Sequence, residues 1–385
     1  MEPDTLGIVQ FGLGGVGRAL IGQVLAAGDR YPWLRYVGLG DRSGFIWRPD
    51  GWSAGELRDL LAAKAGGASL RQAWSAGRQA AGVFSQERLE RGAAIVEPLL
   101  TTAAGGGLTV VDVTAERNTY PALLAARAAG AHLVLCNKWP LAEEQDRYDA
   151  LLAGGPGRLQ YETTVGAALP VLSTLDGLLL AGDEVQEIQA AISGTLGFVT
   201  SQIEAGQPFS AALREAQTRG YTEPDPRDDL GGTDARRKAL ILARKLGLRG
   251  NMSDITVESL VPPGLESVPL AQFWDGLRSV DAQYAARVAT AHAAGQVLRF
   301  LALVSRDEAQ VGLQAVPRDG LAGSLTDTES LFVFKTRRYG DQPLAVRGRG
   351  AGAEITAAGV LADILAITPG RTARALHRAG AAGGR

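Results

Sequence analysis

The chain has 385 residues, 50 of them glycine and 17 proline. That is enough for two or three domains, with a glycine share about twice the usual one but without the Gly-X-Y period of collagen. Its 39 basic and 41 acidic residues leave a formal net charge of −2, and neither sign gathers into a block, which argues against nucleic-acid and membrane-surface partners. Cys136 is the only cysteine, and His132, His292 and His377 are far apart in sequence. An intrachain disulfide, a CxxC redox pair and a Cys-rich zinc site are thereby excluded, and the spacing of the histidines argues against a multi-His metal centre. The start is acidic rather than a basic leader, and apolar stretches are broken before about 18 residues, so a soluble, cytoplasmic protein is expected.

In chain order, residues 6–11 read as an apolar strand, followed by Gly12-Leu13-Gly14-Gly15-Val16-Gly17 and a helix over residues 18–27. Strand, glycine turn and helix form the start of a dinucleotide fold, where glycines permit the tight turn and let backbone amides approach a pyrophosphate. A second strand, residues 36–40, ends at Asp41, where such a fold sets the acid that binds the adenosine ribose. Residues 46–96 look helical and polar, with Trp47, Trp52 and Trp74 as anchors on the domain's flank. Strand character returns at 108–113, a helix covers 121–129, and 132–136 is another strand, with His132 a satisfied core residue. The alternation implies parallel βαβ units. Ligands sit beyond the carboxyl ends of such strands, which puts Thr114 and Asn137-Lys138 where cofactor and substrate meet.

The composition shifts at Ala153-Gly154-Gly155-Pro156-Gly157, the expected start of a second domain. There residues 161–170 read as strand and turn, 172–180 as helix, and 187–192 as a strand reaching Ser193-Gly194-Thr195. Residues 209–219 are helical and lead into a polar loop over 220–232; strands near 297–304 and 331–334 suggest a sheet able to pair subunits.

The lysine of interest follows that loop. Thr233 or Asp234 can cap a helix ending at Gly247, and Ala235, Ala239, Leu242 and Leu246 recur at helical spacing as its buried stripe. Lys238 lies on the edge of the stripe with Asp234 one turn earlier, while Arg236, Arg237 and Arg244 point away. Near Asp228, Asp229, Asp234 and Glu223, its ammonium can be held by carboxylates and tuned for proton transfer. Pro224 and Pro226 stiffen the turn carrying Glu223 and Asp225, and Gly231 and Gly232 permit a sharp entry to the helix. Such carboxylates could hold an amino-acid ammonium while the lysine protonates an aldehyde oxygen as hydride arrives from a nicotinamide: a dehydrogenase site without histidine.

On these residues the chain resembles the homoserine dehydrogenases, and the resemblance runs over most of its length. It is carried by the N-terminal glycine motif, Val111-Asp112-Val113-Thr114, Asn137-Lys138, the YETTVGAALP run at 161–170, Ser193-Gly194-Thr195-Leu196, residues 220–238, and Gly348-Arg349-Gly350-Ala351-Gly352-Ala353 leading to Thr356-Ala357-Ala358-Gly359-Val360. The resemblance implies interconversion of L-homoserine and L-aspartate 4-semialdehyde with NADP or NAD, in threonine, methionine and isoleucine biosynthesis. It implies Lys238 as general acid/base, Asp234 binding and orienting homoserine, Glu223, Asp229 and Tyr221 at the substrate, Gly194 and Thr195 approaching it, and Lys138 between cofactor and substrate. Cofactor contacts are then expected from Gly12, Leu13, Gly14, Gly15, Val16, Gly17, Asp41, Arg42, Thr114, Lys138, Gly350 and Gly352. The resemblance further implies a monovalent cation, Na or K, on the backbone carbonyls of Glu162, Val165, Ala167 and Leu169, and a homodimer.

The expected fold is α/β: a Rossmann-type doubly wound parallel sheet, residues 1–155 and 348–385, plus an inserted α+β catalytic and dimerisation domain, residues 156–347. Two departures from the family pattern stand out. Gly197 replaces the asparagine that usually follows Gly-Thr-Leu, and only a short Ala/Gly/Arg-rich tail follows the last motif, so no regulatory domain is expected. Asp41 favours the free ribose of NAD, while Arg42 suits the 2′-phosphate of NADP. Two other readings are a related dehydrogenase for another amino-acid aldehyde or hydroxy acid, motivated by Gly197, and a catalytically silent dinucleotide-binding regulator.

Overall fold

The computed structural model describes residues 5–75, 83–85, 107–373 and 375. The chain divides into two compact units, Met1–Ala168 with Gly352–Arg385, and Leu169–Ala351.

The first unit is built on a seven-stranded sheet: β1 (Leu6–Phe11), β2 (Leu34–Asp41), β3 (Gly44–Trp47), β4 (Val83–Ser85), β5 (Leu108–Asp112), β6 (His132–Leu135) and β7 (Leu159–Gln160). In the order β4-β3-β2-β1-β5-β6-β7, the run from β2 to β7 is parallel and β3 and β4 add antiparallel strands at one edge. Every residue of β1 and β5 is buried, as befits parallel strands covered on both faces. The helix Gly15–Ala27 packs on this sheet beside the helix Ala353–Ile367. Val360, Ile364 and Ile367 of the latter enter the same core as Ile8, Leu20, Ile21, Val111 and Val134.

Ile46 and Trp47, expected at the start of a helical stretch, belong instead to the strand β3. Phe45, Ile46 and Trp47 are aromatic or β-branched, and they pair with Gly40, Leu39 and Gly38 of β2 in a hairpin. Helical structure does occur at Ala54–Ala65 and Leu70–Ser75, and Trp52 and Trp74 meet edge to face, 5.9 Å between ring centres, on the flank of the core. Beyond Ser75 the rest of the expected helical stretch lies outside the described residues, β4 excepted.

In place of a strand and turn over 161–170, the chain makes the short strand β7 and then the helix Thr163–Gly166. Both sit in the first unit, past the Gly-Pro-Gly boundary that the sequence suggested.

The second unit carries a six-stranded sheet of β8 (Val185–Ala191), β9 (Thr256–Val257), β10 (Gln296–Val304), β11 (Ala309–Pro317), β12 (Glu329–Thr336) and β13 (Leu344–Arg349), in the order β13-β12-β8-β10-β11-β9. All neighbours are antiparallel except β11 and β9. The helices Gly194–Glu204, Thr233–Lys245 and Asp281–Ala293 pack against β10 and β11. The helix Gly194–Glu204 escapes sequence reading because Phe198, Val199, Thr200 and Ile203 are strand-favouring types; tertiary burial of six of its residues and a side-chain cap from Ser193 to the Leu196 amide override propensity. Among the described residues no helix is long and apolar enough to cross a membrane.

Candidate active site

The first unit presents the glycine turn. Gly12 adopts φ +103°, and a β-carbon there would meet the Val113 carbonyl oxygen at 2.9 Å. A β-carbon at Gly17 would collide with the Gly12 carbonyl oxygen and lie 2.7 Å from Gln10 Nε2. Gly14 and Gly15 are exposed, and a β-carbon at Gly14 would meet nothing within 4 Å. The helix Gly15–Ala27 has no side-chain N-cap and no acid in its first turn. Its leading amides therefore have no side-chain cap beside an open Gly14, a cradle that fits an anionic phosphate.

Around this turn the carboxyl ends of the strands lie level, Phe11 pairing with Gly40 and Asp112, and Asp112 with Leu135. Asp41, at the end of β2, is fully occupied by its own unit: Oδ1 accepts from the Ser43 amide (2.8 Å) and hydroxyl (2.5 Å), and Oδ2 from Lys64 Nζ (2.7 Å) and the Leu70 amide (2.8 Å). Burial alone would raise its carboxyl, but these donors outweigh burial and hold it below the usual range. Neighbouring Arg42 is exposed and pairs with Glu116 at 2.6 Å.

At the end of β5, Asp112 is fully buried, and its desolvation raises the carboxyl even though Thr119, Thr114 and Asn137 donate to it. Asp112 thus ties Thr114 to Asn137, and Asn137 in turn accepts from the Trp139 amide and donates to the Glu116 carbonyl. Lys138, held between those two anchored residues, is the half-buried residue preceding the helix Trp139–Ala142. His132 accepts the Arg158 amide on Nδ1, and burial lowers it.

The second unit presents Lys238. Its helix starts at Thr233 because Gly232, at φ +68°, makes the left-handed entry; a β-carbon there would sit 2.9 Å from Val257 Cγ1. Neither Thr233 nor Asp234 caps this helix, contrary to expectation, since both already lie inside its first turn. Asp234 instead turns to Lys238 (2.9 Å), whose side chain is only 13% exposed and whose Nζ also donates to the Ile192 carbonyl (2.8 Å) just past β8. The stripe Ala235, Ala239, Leu242 and Leu246 is buried, but Arg244 is buried too and donates to the Gly250 carbonyl rather than pointing away.

The polar loop divides its acids among separate tasks. Asp229 accepts the Thr195 hydroxyl (2.9 Å) on Oδ1 and the Glu223 amide (2.8 Å) on Oδ2. Burial is the main cause of its raised carboxyl, with those two donors opposing. Thr195 Oγ1 also donates to the Tyr221 carbonyl (2.5 Å), so Gly194 and Thr195 at the helix start, Tyr221 and Glu223 are fastened together. Asp225 goes to Arg227 (2.5 Å), which spans the carbonyls of Leu265, Glu266 and Val268. The one-turn helix Arg227–Leu230 in this loop, and the Ile192 carbonyl, left no signal in the sequence, since each depends on partners remote in the chain.

Glu162, Val165 and Ala167 lie around the helix Thr163–Gly166; Ala167 has φ +52°, and the Glu162 amide donates to Asp363 (3.0 Å). Leu169 opens the second unit and its carbonyl accepts the Val171 amide. Gly350 is a glycine because Ser330 Oγ occupies the place of a β-carbon, whereas Gly352, at φ +122° with nothing within 4 Å, opens the helix Ala353–Ile367. A β-carbon at Gly197 would approach the Asp327 carbonyl oxygen at 3.1 Å, and Asp327 itself has φ +56°. Among the described residues no cluster of three or more His, Cys, Asp or Glu could hold a metal ion.

A parallel sheet with helices on it, a glycine turn at the end of β1 and an added α+β unit with a buried lysine define a Rossmann-type two-unit protein. The family profile for homoserine dehydrogenase matches residues 170–365. The chain is 38% identical over 284 residues to homoserine dehydrogenase of Emericella nidulans, covering 69% of this chain and 76% of that protein. It is 43% identical over 265 residues to the chloroplastic bifunctional aspartokinase/homoserine dehydrogenase 1 of Zea mays, covering 67% of this chain and 29% of that protein. In structure it is similar to a putative homoserine dehydrogenase of Archaeoglobus fulgidus, with a TM-score of 0.72 at 26% identity, over 94% of this chain and 99% of that one. The chain belongs to the homoserine dehydrogenase family. It spans less than a third of the length of the bifunctional relatives.

Proposed function

We propose that the chain interconverts L-homoserine and L-aspartate 4-semialdehyde with a nicotinamide dinucleotide. The carrying observation is Lys238, largely buried yet held by Asp234 and the Ile192 carbonyl, on a helix inside the family match. The dinucleotide, when bound, supplies or accepts the hydride. In the reducing direction Lys238, directly or through water, protonates the alkoxide oxygen that develops on the aldehyde; in the oxidising direction it takes the hydroxyl proton. Asp234 holds the ammonium in place and balances its charge. Lys138 adds a second positive charge at the reacting oxygen, and such fixed charges are a large part of barrier reduction. Glu223, exposed on a loop that Asp229 pins to Thr195, is positioned for the substrate's ammonium, with Gly194, Thr195 and Tyr221 lining the same place.

The first unit would hold the dinucleotide through the glycine turn, Thr114 and Gly352, and NADP is the better fit. Four donors fill the acceptor capacity of Asp41, leaving little for ribose hydroxyls, while Arg42 is exposed and could exchange its surface pairing with Glu116 for a 2′-phosphate. The carbonyls of Glu162, Val165, Ala167 and Leu169 are hard oxygen donors suited to Na or K, and we assign the second unit's sheet to homodimer pairing. Initial rates of homoserine oxidation with NAD and NADP in parallel test substrate and cofactor together. Faster turnover with NADP supports this assignment, and no reduction of either dinucleotide rejects it.

A further inference from the structure

The strand β1 reads Leu-Gly-Ile-Val-Gln-Phe, and its one polar side chain, Gln10, is fully buried. A buried amide has to find partners for two N–H donors and one carbonyl. Gln10 gives one donor to the Gly12 carbonyl (2.8 Å) and the other to the Gly17 carbonyl (3.1 Å), the first and last residues of the glycine turn. Its own carbonyl accepts from the hydroxyl of Tyr36 (3.0 Å), a residue of β2 that is itself buried and whose hydroxyl burial keeps protonated. The amide therefore cannot flip: reversing it would bring its oxygen against two carbonyl oxygens and its N–H groups against a hydroxyl already donating. In a trans peptide the carbonyl and the following N–H point in opposite directions. Drawing the Gly12 carbonyl inward onto Gln10 thus turns the Leu13 N–H away from Gln10. The same geometry explains Gly17, where a β-carbon would strike both the Gly12 carbonyl and the Gln10 amide.

We propose that Gln10, locked by Tyr36, is a positioning residue for the dinucleotide: from beneath the turn it sets the direction of the amides that receive the pyrophosphate. This rests on the reading of the first unit as a dinucleotide-binding unit. Because it acts on the turn and not on the adenosine end, it affects NADH and NADPH alike.

The test is titration calorimetry of NADH and NADPH with the full chain, for the wild type, Gln10→Leu and Tyr36→Phe, with thermal midpoints and homoserine KM at saturating dinucleotide. Gln10→Leu removes both donors at nearly constant volume and is expected to weaken both dinucleotides about tenfold while homoserine KM holds within about twofold. Tyr36→Phe leaves the Gln10 carbonyl without its buried donor, loosening the amide beneath the turn, and should weaken both by about twofold to fivefold. Ile364→Ala, a core truncation at the far end of the helix Ala353–Ile367 from Gly352, serves as control and should lower the midpoint without moving either affinity. A folded Gln10→Leu with wild-type affinities overturns the proposal, as does a loss confined to one dinucleotide. Should Gln10→Leu not fold, wild-type affinity in Tyr36→Phe overturns it. Failure of the wild type to bind either dinucleotide would overturn the underlying reading as well, whereas wild-type binding with insensitive variants overturns this inference alone.

Discussion

Lys238 sits on a helix buried around most of its circumference, with Ala235, Ala239, Leu240, Ile241, Leu242, Ala243 and Arg244 all inside. The helix is thus a rigid mount, and the ammonium is fixed from both sides by Asp234 and the Ile192 carbonyl. Lys238→Ala should lower homoserine turnover by about two orders of magnitude or more with dinucleotide affinity retained in the same titration; near-normal turnover would remove Lys238 from the mechanism. Gly17→Ala should do the reverse, abolishing measurable dinucleotide binding, because a methyl group has no room between the Gly12 carbonyl and Gln10. At this scale the sequence showed the lysine, its i,i+4 acid and its buried stripe, since helical periodicity is local. It misdirected Arg244, because the Gly250 carbonyl that draws the guanidinium inward lies beyond the helix end.

Some helix starts in this protein are closed by side chains, and pH reads one of them. The helix Ala54–Ala65 begins with a reciprocal cap between Ser53 and Glu56, and Arg48 pairs with the same glutamate. Burial alone would raise the Glu56 carboxyl, but Arg48 and the Ser53 donors overcome it and hold it near about 2, against 4.5 unperturbed. A carboxyl with a depressed folded value stabilises fully above its unfolded value and loses that contribution as pH falls through the folded one. The thermal midpoint of the wild type should therefore fall between pH 4.5 and about 2, and Glu56→Gln should show a lower midpoint at pH 7 and a shallower acid decline. The same slope in both proteins would exclude this role. Ser193→Ala, removing the cap of the helix Gly194–Glu204, should cost about 1 kcal/mol in denaturant unfolding. Neither cap is read from the sequence: Ser53 lies in a stretch that reads only as helical and polar, and Ser193 is disguised by the strand-favouring residues after it.

The first unit is assembled from both ends of the chain. Gln23 donates to the Glu354 carbonyl and carboxylate across 331 residues, and Ile364 is fully buried in the core of Leu20 and Ile21. Ile364→Ala should cost about 2–5 kcal/mol and lower the unfolding midpoint of the unit that holds the glycine turn, measured by denaturant titration; a cost below about 0.5 kcal/mol would show that the return helix is dispensable. The sequence by itself determined the β1–turn–helix start, the parallel alternation through β6 and the helix and stripe of Lys238, because periodicity, glycine placement and turn chemistry act within a few residues; the return of the chain to the first domain was legible only through the family resemblance. Only the tertiary structure decided that Asp41 is consumed by Lys64, Ser43 and Leu70, that Asp234 pairs instead of capping, that residues 44–47 join the sheet, and that a buried glutamine underlies the glycine turn. In each case the deciding partner comes from another strand or helix: a polar group taken from water takes whichever donor or acceptor the packed fold sets beside it, and chain order does not specify which that is.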